Sequence, residues 1–577
     1  MTRALSRSGL AGLAAAVTLA VSAAPGVHAQ TSPASAPATL LPHLHPAPSS
    51  GPRVPPASAF DGSPVSQQNM GSGVSPGSAS DGSGPPDDPP LLAPANVTAA
   101  TRAVTPGATT AASFTATDWP TFGMNAQRTG NNPVETVLST SNVAGLRTHW
   151  TTDLGGPILT QPTLAAGVNI NGVLTDVVYA ATLQGDMFAL NASTGALIWQ
   201  QHVAPVHTTC SDFAASGGNI GFIGTPTIDR TRNQLYIVSG DGFLHAYNLA
   251  TGADLPALHV MIPDPANVAP KTYVYGSPTL SVSTRYGTSL YLTTASTCDT
   301  TPYHGQVVRV SIPDGAILQR WYPTGVTGPN GGGIWGPGGV SVVRGGSAVY
   351  ALTGNAFATP ENAAFAEHVV KLTSSLAVTA SNSPMAPTVQ DADFGATAPL
   401  FQPRGCPTML AAFQKTGNLF IYNEATIPSG PLQTLDISQS RSTGTNIGLP
   451  AYDPALKQLY IAAPSDSPTG FNKHGLLALG ISSTCSVGLA WQQPVGKNSA
   501  IDNPAISPVI ANGVVYYGDG IASQVFAIDA RSGQILWSTD SLPVGERPTG
   551  GILTSPTVVN GQLFVAGMDH KLHAFGL

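Results

Sequence analysis

Eight times after Trp119 the chain repeats one arrangement of short apolar runs separated by Gly, Pro, Asn and Asp. Each unit opens on a proline that leads into an apolar run, at Pro162, Pro226, Pro278, Pro399, Pro450, Pro508 and Pro556, with a degenerate copy near Pro337. A second run follows, as in Val177-Val178-Tyr179, Leu235-Tyr236-Ile237 and Val515-Tyr516-Tyr517, then a third, as in Met187-Phe188-Ala189-Leu190. A glycine-marked turn leads to the fourth, as in Thr194-Gly195-Ala196-Leu197-Ile198-Trp199. The openings lie 48 to 64 residues apart. A single four-stranded unit of this kind cannot bury its own faces, so the repeats must stack radially, and the pattern predicts an all-β, eight-bladed β-propeller. The eighth unit stops at Leu577 after its third strand, and an orphan strand, Leu146 to Leu154 with Trp150 in the place of the repeat tryptophan, precedes the first. Pairing the two closes the ring and removes an exposed edge. A parallel solenoid would leave both unexplained.

The region before the repeats is of another kind. Arg3 and Arg7 precede an apolar stretch from Leu10 to Ala23, and Val27-His28-Ala29 is a small-x-small cleavage site, so residues 1–29 read as a signal peptide. Residues 30–117 are rich in Pro, Ser, Ala and Gly without periodicity, and such a segment cannot offset its conformational entropy by burial; it reads as a disordered linker. The propeller then spans 118–577, and the protein is expected to be secreted, periplasmic or displayed on the cell surface. The formal net charge is −7 with 9% charged residues and no basic run, which excludes nucleic acid as a partner. No further segment is apolar and long enough to span a membrane once the signal is removed.

An exported chain meets oxidising conditions, and its four cysteines allow three pairings. In a propeller, the loops between second and third strands and those joining successive blades share one face, here called the top. Cys210 enters the second blade and Cys298 lies between the second and third strands of the third, so both fall on top. Cys406 lies between the first two strands of the fifth blade and Cys485 between the last two of the sixth, so both fall on the opposite face. A bridge needs Cα atoms within about 7 Å. The expected disulfides are therefore Cys210–Cys298 and Cys406–Cys485.

Ala189-Leu190-Asn191-Ala192-Ser193-Thr194-Gly195 and Ala527-Ile528-Asp529-Ala530-Arg531-Ser532-Gly533 resemble the repeat of the pyrroloquinoline quinone (PQQ) enzymes. Asp118-Trp119-Pro120-Thr121-Phe122-Gly123 is similar to the entry of PQQ-dependent alcohol and polyvinyl-alcohol dehydrogenases. The resemblance covers nearly everything after the linker. It implies PQQ held at the top face with Ca²⁺ or a lanthanide beside it. In family order, Trp335 after Gly331-Gly332-Gly333 matches the floor under the quinone, and Asn355 in Thr353-Gly354-Asn355 matches a metal ligand. Asp391 matches the catalytic base and a metal ligand, Asp393 a further metal ligand, and Lys415 the cation near the quinone oxygens. Each of these also has a plain structural reading, as a packing tryptophan, a turn Asn, loop-capping aspartates or a solvated lysine. The same repeat builds non-enzymatic scaffolds such as the outer-membrane assembly lipoprotein.

This chain also departs from the enzymes. The loop entering the second blade, Ser216-Gly217-Gly218-Asn219-Ile220-Gly221, has no Glu where they carry a metal ligand, and only Asn219 could coordinate, weakly. There is no vicinal cysteine pair and no Cys-x-x-Cys-His, so no attached haem is expected. Asp299 and His304, in a top loop of the third blade, are further candidates for ligand contact. The balance of these features favours a ligand-binding or scaffold propeller with an unknown ligand or protein at its top face. A quinoprotein-type dehydrogenase acting on an alcohol or polyol is the alternative.

Overall fold

The computed structural model describes residues 118–264, 272–386, 389, 391–439, 447–499 and 506–577. The expected signal peptide and linker lie outside the described residues. Eight antiparallel sheets follow one another along the chain. The first blade is Thr163–Ile170, Val173–Ala181, Asp186–Asn191 and Leu197–His202, paired in sequence order. Six further blades repeat this order. The last combines Thr557–Val559, Gln562–Ala566 and Lys571–Gly576 with Arg147–Asp153, whose partner is Lys571–Gly576. This is the ring closure expected from the sequence. Among the described residues no helix is long and apolar enough to cross a membrane.

The repeat motif has a local physical cause. Asn191 Oδ1 accepts hydrogen bonds from the backbone N–H groups of Ser193 and Thr194, and Asp529 does the same for Arg531 and Ser532, so these residues cap the turn between third and fourth strands. The glycine that ends the turn is left-handed, at φ +70° for Gly195, and lies under a tryptophan from the preceding blade. The indole N–H of Trp150 donates to Ala192 O at 2.9 Å, that of Trp199 to Leu249 O at 3.0 Å and that of Trp491 to Ala530 O at 3.0 Å. At these joints a blade docks its outer strand onto the turn of the next. Trp150 makes this bond from the N-terminal strand, so the closing joint repeats the geometry of the ordinary ones.

The entry segment has a role that its motif does not disclose. Between Trp119 and Asn132 it bonds to all eight blades. Trp119 and Leu164 exchange backbone bonds of 2.9 Å on the first blade, and Pro120 O accepts from Ile228 N at 2.7 Å on the second. Arg128 Nη2 donates to Thr279 Oγ1 at 2.5 Å on the third. Ala126, Gln127 and Thr129 carbonyls accept from Val342, Leu400 and Tyr452 on the fourth to sixth. Asn131–Asn132 pairs in parallel with Ile510 and Ala511 on the seventh, and Asn132 Nδ2 donates to Val558 O at 2.8 Å on the eighth. Arg128 is fully buried, and burial pulls its guanidinium down to about 9. Its remaining donors satisfy Thr121 Oγ1 and the carbonyls of Phe122, Ser277 and Val340. The segment therefore closes the channel at the level of the inner strands.

Both expected disulfides are present. Cys210–Cys298 has Cα atoms 5.7 Å apart and joins the loops of the second and third blades, and Cys406–Cys485, at 5.6 Å, joins the fifth and sixth.

Candidate functional site

The top loops enclose a cavity of about 860 Å³. Much of its wall comes from the second to fifth blades. The connection into the second blade contributes a short 3₁₀ turn, Ser211–Ser216, with Asp212 and Phe213. The third blade's loop contributes Asp299 and Tyr303, and the fourth and fifth blades contribute Trp335, Asp393 and Lys415. The glycine run before Trp335 stitches these loops together. Gly331 N donates to Tyr303 O at 3.0 Å, Gly332 N to Asn355 O at 2.7 Å, and Gly354 N to Gly333 O at 2.7 Å. Side chains at Gly331 or Gly305 would collide with backbone of the facing loop, so close approach demands glycine there.

Five of the sequence candidates meet at this end of the channel. Lys415 Nζ lies 2.6 Å from Asp391 Oδ1 and 3.3 Å from Asp393 Oδ2, and 5.7 Å from the centroid of the Trp335 ring. Asp393 Oδ1 accepts the backbone N–H of Asn355. Asn355 thus serves the cluster through its main chain. Of the two aspartates, Asp393 lines the cavity and Asp391 does not. Asp391 has a left-handed backbone at φ +54°, and its own N–H is held by Glu361 Oε2 at 2.7 Å. Ala392 N donates to Glu367 Oε1 at 2.8 Å. The two glutamates therefore set the path of the loop that carries both aspartates, a function no motif announced.

The electrostatics follow from this packing. Burial raises the Asp391 carboxyl above its ordinary value, against the hydrogen bond and charge of Lys415. Burial alone would lower Lys415, but Asp393 and Asp391 together outweigh it, and the ammonium is held above its ordinary value. Burial also raises Asp299, with the charge of Asp393 adding to it and Lys415 and the Tyr303 hydroxyl opposing. Glu367 is pushed up to about 7, first by burial and then by Asp393, Glu361 and Asp391, against the Ala392 N–H.

Asn219 and His304 stand apart from this group. The Asn219 amide donates to Gln184 Oε1 at 2.7 Å, and His304 Nδ1 lies 3.2 Å from Thr324 Oγ1; neither lines the cavity. The aromatic wall formed by Phe213, Tyr275 and Tyr303 was missed by sequence reasoning, because nothing in these loops marks which tyrosines turn inward.

The donor set does not suit a metal-bound quinone. The space between the Asp391 and Asp393 carboxylates is occupied by the Lys415 ammonium, and the other Asp393 oxygen is taken by Asn355 N–H. Among the described residues the one cluster with metal-ligand spacing is Cys210, Asp212 and Cys298, whose sulfurs are spent in a disulfide. A hard dication needs several free oxygens, and a polycarboxylated quinone needs surplus positive charge. Lys415 is the one basic residue lining the cavity among the described residues, and its charge is already committed.

Fold and cavity together define a PQQ-like repeat propeller with a loop-built pocket on one face. The family model described as outer membrane protein assembly factor BamB matches residues 136–359 and 488–576, more than half of the chain, and the chain belongs to that family. No curated protein matches it by sequence. Among solved structures it is similar to the quinohemoprotein alcohol dehydrogenase of Comamonas testosteroni, at 14% identity and TM-score 0.56, with 80% of each chain covered. It is similar to the quinohemoprotein alcohol dehydrogenase ADHIIG of Pseudomonas putida HK5 at 14% identity and TM-score 0.59, again with 80% of each covered. A europium-containing methanol dehydrogenase matches at 14% identity and TM-score 0.57, covering 80% of this chain and 98% of that one. At such identities these likenesses speak for the fold alone.

Proposed function

We propose that this chain is an exported binding propeller that takes a small ligand, or a segment of a partner, into its top cavity. The observation that carries this reading is the state of the carboxylate pair: Asp391 and Asp393 share the Lys415 ammonium between them instead of being left open to a metal. Export is supported by the basic and apolar N-terminal segment of the sequence and by the two interblade disulfides. A second reading, a quinoprotein-type oxidoreductase for an alcohol or polyol, is favoured by the meeting of Trp335, Asn355, Asp391, Asp393 and Lys415 at one mouth of the channel. In that reading Trp335 and Lys415 would hold the quinone, and the Asp391 carboxylate would take the substrate proton.

The deciding experiment adds PQQ with Ca²⁺ or La³⁺ to the purified protein. The quinone absorbance is followed through gel filtration, and dye-linked oxidation of short alcohols and glycols is assayed. The binding reading expects no co-eluting quinone and no dye reduction. Stoichiometric quinone uptake with metal-dependent turnover would establish the enzyme instead.

A further inference from the structure

Among the described residues, the cavity lining combines an apolar aromatic wall with more carboxylates than cations. Phe213, Tyr275, Tyr303 and Trp335 supply ring surface, and Asp212, Asp299 and Asp393 supply carboxylates. Among the described residues Lys415 is the one cation on the wall; it is shared between Asp391 and Asp393 and its charge also acts on Asp299, so the wall carboxylates outnumber it. Asp299 is held in place by its backbone: Cys298 and Asp299 are both left-handed, at φ +46° and +49°, and Cys298 is tied across the rim to Cys210. Left-handed residues other than glycine are strained and persist where the surroundings hold them. Here the outcome is a carboxylate on the cavity wall beside the Tyr303 ring.

Ring faces and carboxylates in one enclosed space are complementary to a single ligand chemistry. An ammonium is attracted both to the negative faces of aromatic rings and to the acid, while its hydrocarbon part is dried by the same rings. An anion would gain the stacking and meet the more numerous like charges of the wall. We propose that the top cavity binds a small organic cation, an amine with an apolar or aromatic body, with Asp299 and Asp393 facing the ammonium and Trp335 and Tyr303 facing the body. This inference rests on the binding reading above and names its ligand class.

A matched series tests it: benzylamine, benzyl alcohol and benzoate share one ring and differ in charge. Each is titrated into the full chain by isothermal calorimetry at pH 8 and low salt. Benzylamine should bind saturably and at least about tenfold more tightly than either analogue, and the difference should shrink with added salt. Asp299→Asn should weaken the amine by about tenfold with an unchanged thermal midpoint, and Asp299→Glu should recover part of the affinity. Asp212→Asn, on the 3₁₀ turn across the rim and exposed like Asp299, should weaken the amine in the same direction. Preference for benzoate, undiminished amine binding by Asp299→Asn, or no saturable amine binding each overturns the inference. Preference for benzoate would leave a ligand-binding propeller standing, whereas the binding reading itself falls only to quinone uptake with dye reduction.

Discussion

Replacing Gly195 by alanine probes the joint on which the ring depends. A Cβ there would lie 2.6 Å from Trp150 Cε3 and 2.7 Å from Thr152 Oγ1, and the backbone is left-handed at φ +70°. The left-handed conformation costs an alanine about 1–2 kcal/mol, and forcing a methyl into a packed contact costs about 1–3 kcal/mol. The lower chain entropy of the unfolded alanine variant offsets about 0.4–1 kcal/mol. The expected net loss is roughly 2–4 kcal/mol. Gly172→Ala is the control, since Gly172 is also left-handed, at φ +91°, with nothing within 4 Å of its would-be Cβ. It should cost about 1 kcal/mol or less. Urea unfolding followed by tryptophan fluorescence and circular dichroism compares the two midpoints. In a Trp150→Ala background the gap between the glycine variants should narrow, because the contact that separates them is partly gone. Equal midpoints for Gly195→Ala and Gly172→Ala in the wild-type background would refute the docking argument.

Arg128→Met removes the donors that satisfy Thr279, Ser277, Phe122 and Val340 inside the channel; stability should fall by roughly 3 kcal/mol or more, read as a lowered thermal midpoint in calorimetry. Glu367 is raised from 4.5 to about 7, so between those values the folded state keeps a proton that the unfolded chain has lost, and stability declines as pH rises through this window. Glu367→Gln should therefore stabilise the protein above pH 7 by up to roughly 3 kcal/mol and change little near pH 4, as chemical denaturation at the two pH values would show. Opening Cys406–Cys485 by a double Cys→Ser change should cost about 2–4 kcal/mol, and peptide mapping of the unsubstituted chain without reductant should recover only the 210–298 and 406–485 linkages.

The blades were legible because their signals are local. Prolines, turn glycines and alternating apolar runs sit within a few residues of the strands they delimit, and the spare strand around Trp150 matched the missing one near Leu577. The disulfides followed from loop position once the blade order was known. The entry segment was illegible for the opposite reason: its bonds from Trp119 to Asn132 run to eight separate strands, mostly through main-chain atoms, and leave no periodic trace. The candidate site was legible as a set of residues and less so in its detail. The sequence pattern could not distinguish Asp393 on the cavity wall from Asp391 beside it, because the left-handed backbone at Asp391 and the hydrogen bond of its N–H to Glu361 join residues far apart in the chain. Nor could it show that Asn355 would contribute its N–H.

The two disulfides look equivalent as staples and differ in what they hold. Cys406–Cys485 links blades on the face opposite the cavity, where Lys457 Nζ and Arg404 O meet at 2.9 Å across the same joint. Cys210–Cys298 ties two loops of the cavity rim, one carrying Asp212 and Phe213 and the other Asp299 and Tyr303. Since the entry segment closes the channel at the inner strands, a ligand that reaches Trp335 must pass this rim. Loss of the rim bridge frees two loops whose mutual position sets the spacing of carboxylates and rings, so its effect reaches binding as well as stability. Loss of the other bridge costs stability alone. Placing a covalent tie at the mouth, on one of two successive left-handed residues, makes sense for a pocket whose carboxylates and rings must keep a fixed spacing.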